Sequence, residues 1–252
     1  MPMSPRRRLP AGRPPLLAAL LTLALTLCVL PSATADEPPP APSATQAAYD
    51  QQRCGNQSGS VLLTFDDWPY DHVERATQVG AYLHSQGIRA AFFLINEYAE
   101  QYPRVAQELR RQGHWVGNHT YSHPHLPGLT EEAARREIRD GVRSTLFRPP
   151  YGAYGPRETR IASGLGSRVC TWTVDTRDWE ERNGRFPDVA TLRERVRNAP
   201  AADLRGGVVL GHLFTNYPDA VPGIVDDLRA GGYRLCRNTG PTTPMIPNPL
   251  PC

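Results

Sequence analysis

The chain of 252 residues carries 28 basic and 25 acidic side chains, every basic one an Arg, and 40% of its residues are hydrophobic. That length suits one folded domain with flanking segments. The near balance of charge, with no long basic run in the body of the chain, argues against nucleic acid or an anionic membrane as partner.

Arg6, Arg7, Arg8 and Arg13 precede an apolar stretch at 16–30, and "ATA" at 33–35 offers a small-x-small cleavage pattern. Residues 1–35 therefore read as an export signal, shorter than the roughly 20 apolar residues of a permanent membrane anchor. Its removal takes away four of the 28 arginines and no acid, leaving 24 basic residues against 25 acidic ones. The expectation is a secreted, extracellular monomer with no stable membrane insertion after cleavage. Residues 36–53, polar and Pro-rich, are expected to be a disordered mature N-terminus, and the folded domain to occupy 54–240. Four cysteines then remain, Cys54, Cys170, Cys236 and Cys252. An even number without a C-x-x-C spacing in an exported protein implies disulfides, in one of three possible pairings. The Pro-rich tail at 241–252 would wander if free, so Cys252 is expected to pin it to the body.

From residue 60 onward, β-prone runs alternate with helical patterns. "SVLLTF" leads to "VERATQVGAYLHSQG", "RAAFFLI" to "YPRVAQELRRQG", and "HWVGNHT" to "TEEAARREIRDGVR", in which Thr130 is a natural N-cap. "LFRPPYG" precedes "PRETRIASGLG", "RVCTWTVD" precedes "DVATLRERVRNA", and "GGVVLGHL" precedes "DAVPGIVDDLRAGG", with "YRLC" closing the series. Such alternation predicts an α/β fold of parallel strands covered by helices, either a barrel or an open sheet. Active sites in these folds lie at the carboxyl ends of the strands. Asp66, Asp67, His119, His123, Arg148, Asp178 and His212 all fall at or just beyond such ends.

His119 and His123, four apart in "NHTYSHPHL", could share one metal ion from one side of a helical turn. A carboxylate from another strand would complete a His-His-Asp set that leaves a position open for water, the catalytic form of a Zn²⁺ site. The adjacent Asp66 and Asp67 could then divide the work, one on the metal and one as general base. His125, beyond Pro124, is read as supporting structure, and His72, His84 and His114 as ordinary surface or partly buried residues. His212 ends a very apolar strand, and either Asp175 or Asp178 could orient it as a proton donor. Arg148 could grip a carboxylate through two hydrogen bonds, next to a rigid Pro-Pro.

In chain order, "TFDDWP", "HTYSH", "RPPYG", "DTRDW" and "LGH" together resemble the polysaccharide deacetylase family, carbohydrate esterase family 4, with its NodB homology domain. The resemblance spans about 59–236. It implies a distorted (β/α) barrel with fewer strands than the eightfold form. It implies Asp66 as catalytic base, and Asp67, His119 and His123 as ligands of a divalent metal, Zn²⁺ with Co²⁺ as a substitute. Arg148 would hold the base, the Tyr151 backbone N–H would donate to the oxyanion, and His212, tuned by Asp178, would be the general acid. Trp179 and Leu210 would wall the acetyl-methyl pocket. The implied substrate is an N-acetylated glycan, chitooligosaccharide or peptidoglycan. Acetylxylan O-acetyl esterase activity and a non-catalytic carbohydrate-binding relic are the alternatives. The family has Gly where this chain has Trp68, which is expected to stack on a sugar or to pack.

Overall fold

Strand β1 (Leu62–Asp67) is buried along its whole length, as is β2 (Ala91–Leu94), and neither shows the alternation of a half-exposed strand. Runs of this kind belong in parallel sheets covered on both faces. The computed structural model describes residues 48–252 and bears this out. Further strands are β3 (Trp115–Asn118), β4 (Leu146–Phe147), β5 (Arg168–Val169), β6 (Val174–Asp175) and β7 (Val208–His212). Among the described residues they make one seven-stranded sheet in the order β5-β4-β3-β2-β1-β7-β6, every pairing parallel. The sheet curls into an open barrel whose unpaired edges are β5 and β6.

The helices follow the strands as the alternation requires: α1 (Arg75–Ser85), α2 (Asn96–Ala99), α3 (Pro103–Arg111), α4 (Glu131–Arg139), α5 (Pro156–Gly164), α6 (Val189–Arg197), α7 (Ala201–Leu204) and α8 (Tyr217–Ala230). Thr130 caps α4 by accepting the Ala133 N–H, with Glu131 and Glu132 in the first turn beside the positive helix end. No described helix is long and apolar enough to cross a membrane.

Period-two alternation sorts the strand residues between two cores. Leu63, Phe65, Phe92, Leu94, Val116 and Val209 pack outward with the apolar faces of α1, α3 and α8, and Phe65 stacks on Phe92 at 4.6 Å. Leu62, Ala91, Phe93, Trp115, Leu146 and Val208 turn the other way, into the barrel. There they meet both disulfides, Cys54–Cys170 and Cys236–Cys252, together with Ile246 and Leu250 of the tail. Cys252 does pin the tail, and Thr145 secures it further: its hydroxyl donates to the Ile246 carbonyl and accepts the Ile246 N–H.

Three expectations need correcting. "RVCTWTVD" is not one strand: β5 and β6 lie at opposite edges of the sheet, and 170–173 crosses the gap between them. The break follows from Thr171 and Trp172, whose segment turns towards the N-terminal arm, the Thr171 N–H donating to the Gln51 carbonyl. "YRLC" contributes only an isolated bridge, Leu235 to Val61. Of the arm expected to be disordered at 36–53, residues 48–53 instead form turns tied to the body by Tyr49, whose hydroxyl donates to the Val169 carbonyl at 2.9 Å. Residues 1–47, including the expected export signal, lie outside the described residues.

Gly211 in β7 lets the ring of Tyr217 lie flat against the strand: a Cβ there would sit 2.0 Å from that ring. Gly211→Ala should therefore destabilise the protein by about 1–3 kcal/mol, the cost of overpacking a filled core. A urea unfolding curve measures it, and an unchanged midpoint would show that Tyr217 yields freely.

Candidate active site

All seven chemically capable residues lie at the carboxyl end of the sheet. Asp66 and Asp67 end β1, His212 ends β7 directly beside Asp66 in register, and His119, Arg148 and Asp178 follow β3, β4 and β6. With His123 from the loop after β3, most of them surround one cavity of about 440 Å³, walled by Tyr151, Trp172, Trp179, Leu210 and Phe214.

Adjacent strand residues point to opposite faces, so two carboxylates in sequence need a device to face one site. Pairing does not stop at Asp66, since Asp67 still opposes Leu94 of β2. The device is the backbone of Asp67 itself, held at φ 71°. His123 and Tyr151, which line the same cavity, have positive φ too, as do Thr120 and Arg177, next in sequence to His119 and Asp178. Conformations of this kind cost of order 1–3 kcal/mol each and persist where surrounding structure enforces them. The two histidines accordingly come together through a loop of left-handed turns and not on a helix.

Asp67 Oδ1 lies 3.2 Å from His119 Nε2 and 3.1 Å from His123 Nε2. Despite these distances it is a buried oxygen without a properly directed hydrogen bond. One ligand atom from each of Asp67, His119 and His123 lies within 4.8 Å of the others, a grouping that a cation satisfies. His119 Nδ1 faces the Arg148 carbonyl at 2.7 Å, which places its proton there and leaves Nε2 as a lone-pair donor. Burial pushes the Asp67 carboxyl up, but the two imidazoles outweigh it and hold the group well below the usual carboxylate range. The donor set, two imidazoles and one carboxylate, suits Zn²⁺ and related divalent ions.

Asp66 is held differently. Its Oδ1 accepts from Arg148 Nη1 at 2.8 Å, and its Oδ2 lies 3.7 Å from His119 Nε2. The Arg148 grip is single, not the two-pronged contact expected, because the guanidinium has other partners. It donates to the Thr64 hydroxyl and to the carbonyls of Cys170 and Thr171, and it stacks over Phe93 at 4.0 Å. Fully buried, it ties β1 to the segment that crosses the barrel gap.

His212 Nδ1 lies 2.8 Å from Asp178 Oδ1, which leaves Nε2 for the cavity. Asp178 is the orienting acid, and Asp175 instead accepts the Arg177 N–H. Asp178 is fully buried and also accepts from the His212 backbone N–H and the hydroxyls of Thr176 and Thr215. Burial, the largest single influence, pushes the His212 imidazole down. The hydrogen bond and charge of Asp178, with the charges of Asp67 and Asp66, overcome it and lift the value to about 9. Relative to 6.5 for an ordinary imidazole, the resulting stabilisation is complete below about pH 6.5 and lost as pH rises through about 9.

Of the two roles expected of Trp68, stacking on a sugar or packing, the geometry matches packing. Only 1% exposed, it cannot stack on a sugar; it packs instead against Tyr98 and Tyr102, with ring centroids 6.1 and 5.9 Å away. Its φ is not positive, so the position tolerates a side chain. Tyr70, 48% exposed, takes the place in the cavity wall expected of Trp68, along with Phe214 and Trp172. They lie beside the motifs but outside the positions that carry chemistry, and only the fold shows that they face the cavity.

The family profile described as "Polysaccharide deacetylase" matches residues 55–170. A chitooligosaccharide deacetylase of Azorhizobium caulinodans is 36% identical over 203 residues, 71% of this chain and 92% of that protein. The chain belongs to the polysaccharide deacetylase family. A peptidoglycan-N-acetylglucosamine deacetylase of Bacillus cereus is 32% identical over 69% of this deacetylase-family chain, which spans 65% of that relative's length. Among solved structures, the family 4 carbohydrate esterase of Streptomyces lividans, in complex with acetate, superposes with a TM-score of 0.61 at 29% identity. The match covers 74% of this chain and 97% of the esterase. The family's barrel is thus the fold observed here.

If Asp67, His119 and His123 form a cation site, Zn²⁺ at about 100 times its dissociation constant should stabilise the protein by roughly 2.7 kcal/mol. Thermal unfolding with Zn²⁺ and then with excess chelator measures this, and His123→Ala should abolish the shift. A shift of equal size in His123→Ala would place the metal elsewhere.

Proposed function

We propose that this chain is a secreted, metal-dependent hydrolase that removes N-acetyl groups from N-acetylglucosamine-containing glycans and releases acetate. The observation that carries the reading is the arrangement around the Asp67, His119 and His123 cluster. A carboxylate gripped by arginine and an imidazole gripped by aspartate end neighbouring strands in the same cavity. The relatives that are chitooligosaccharide and peptidoglycan deacetylases support the substrate class. The two disulfides support an oxidising, extracellular setting.

A divalent cation held by Asp67, His119 and His123 would polarise the acetyl carbonyl and make water more acidic. Asp66, fixed by Arg148, removes the proton from the attacking water. The Tyr151 N–H, on a backbone turned to φ 59°, is the candidate donor to the developing oxyanion. Leu210 and Trp179 supply the apolar wall for the acetyl methyl group. Breakdown then needs a proton on the leaving nitrogen, because an amine leaves poorly as an anion. His212, charged up to about pH 9 through Asp178, supplies it.

This demand separates amide from ester substrates. His212→Ala should lower kcat on N-acetylglucosamine oligomers by at least roughly 100-fold and on acetylxylan by less. Acetate release from chitooligosaccharides, peptidoglycan and acetylxylan measures both, and an equal loss on all three would remove His212 as acid. Activity of the wild type should fall as pH rises through about 9, and Asp178→Asn should move that limb to lower pH. A limb that stays in place would detach Asp178 from the proton donor.

A further inference from the structure

The catalytic cavity is not the only one among the described residues. A groove of about 820 Å³ runs between the first turns of α1 and α3, past Val73, Glu74, Thr77, Tyr102, Val105 and Gln107. Both helices begin at the end of the sheet where the strands finish, the end that also carries the catalytic cavity. Three tyrosines connect the two sites. Tyr70, half exposed in the catalytic wall, meets Tyr98 edge-on at 5.2 Å. Tyr98 and Tyr102 both stack on the buried indole of Trp68, at 6.1 and 5.9 Å, and Tyr102 is 47% exposed in the groove wall. Trp68, the residue that departs from the family motif, is thus the foundation on which Tyr98 and Tyr102 rest.

We infer that this tyrosine strip and the groove beyond it bind the distal part of an N-acetylglucosamine chain whose reacting unit lies in the catalytic cavity. The inference rests on the deacetylase reading for its substrate and deepens it to a preference for long chains. The Tyr70-to-Tyr98 step of 5.2 Å is about the length of one pyranose unit, and tyrosine rings offer an apolar face with a polar edge, the pairing that sugar C–H faces and hydroxyls require. Groove charges are mixed, Glu74 and Glu108 against Arg104, and Glu108 is already paired with Arg111. A mixed, largely self-compensated lining suits an uncharged glycan better than a polyanion. Gln107 and Thr77 add neutral hydrogen-bonding groups for sugar hydroxyls.

The test is chain-length dependence. For the metal-loaded protein, kcat and KM for acetate release are measured on the N-acetylglucosamine dimer and hexamer. Tyr102→Ala should raise KM for the hexamer by roughly 3- to 10-fold, the scale of one aromatic contact, with dimer kinetics within about twofold of wild type. Thr77→Trp, which fills the groove from the α1 side and keeps all three tyrosines, should have the same selective effect and controls for the loss of the Tyr102 ring from the packing around Trp68. An equal change on dimer and hexamer, or none, overturns the strip. Calorimetric titration of both oligomers into the metal-loaded Asp66→Asn variant separates this inference from the activity on which it rests. Tighter hexamer binding that is lost with Tyr102→Ala supports the strip even if no acetate were released by the wild type. Equal affinity for the two oligomers overturns it even in a fully active enzyme.

Discussion

Two neighbouring carboxylates, both nearly buried, end the central strand of this protein, and the rest of the active end is arranged to make that tolerable. Burying an unpaired charge costs several kcal/mol, and two like charges side by side add repulsion to desolvation. Each aspartate is relieved by different means. Asp66 has a full counter-charge in Arg148, itself sealed inside the barrel. Asp67 has one oxygen 3.2 and 3.1 Å from two imidazole nitrogens without hydrogen-bonding geometry, an arrangement that calls for a cation. The difference in partners gives the two carboxylates different chemistry even though they are adjacent in sequence.

Arg148 links that chemistry to the architecture. The sheet does not close, and the gap between β5 and β6 is crossed by a segment whose carbonyls at Cys170 and Thr171 receive the guanidinium. The same segment is anchored to the N-terminal arm by Cys54 and by Gln51. An open barrel thereby supplies free carbonyl groups at its seam, where a closed one would have used them in strand pairing. The guanidinium that neutralises Asp66 is positioned by the incompleteness of the fold. His212 depends on a comparable arrangement across the adjacent pair of strands, with buried Asp178 accepting from a backbone amide, two hydroxyls and the imidazole.

Much of this arrangement is legible in the amino-acid sequence itself. Continuous apolar runs ending in Asp, His and Arg locate the sheet and its active end, because parallel strands buried on both faces leave no other place for polar side chains. What is not legible depends on long-range placement. "RVCTWTVD" has the composition of a single strand, and only the curvature of the sheet sends its halves to opposite edges. Asp175 and Asp178 are equivalent candidates in sequence, and the turn at Arg177 selects the second. Trp68 looks available to a sugar because its neighbours carry chemistry, yet two tyrosines from the segment that follows β2 cover it. The wall residues Tyr70, Trp172 and Phe214 flank the motifs in loops without a periodic signal, so nothing in the sequence tells which way they face.

The division of labour between Asp66 and Asp67 is the central claim, and paired isosteric variants test it most directly. Zn²⁺ affinity, by competition with a chromophoric chelator, and turnover of N-acetylglucosamine oligomers are measured for Asp66→Asn and Asp67→Asn. Asp67→Asn should lose metal affinity by at least about tenfold, as for loss of a ligating carboxylate. Asp66→Asn should hold Zn²⁺ nearly as well as wild type while its metal-loaded turnover falls by at least roughly 100-fold. Equal loss of metal by both variants, or full turnover by metal-loaded Asp66→Asn, would contradict that division.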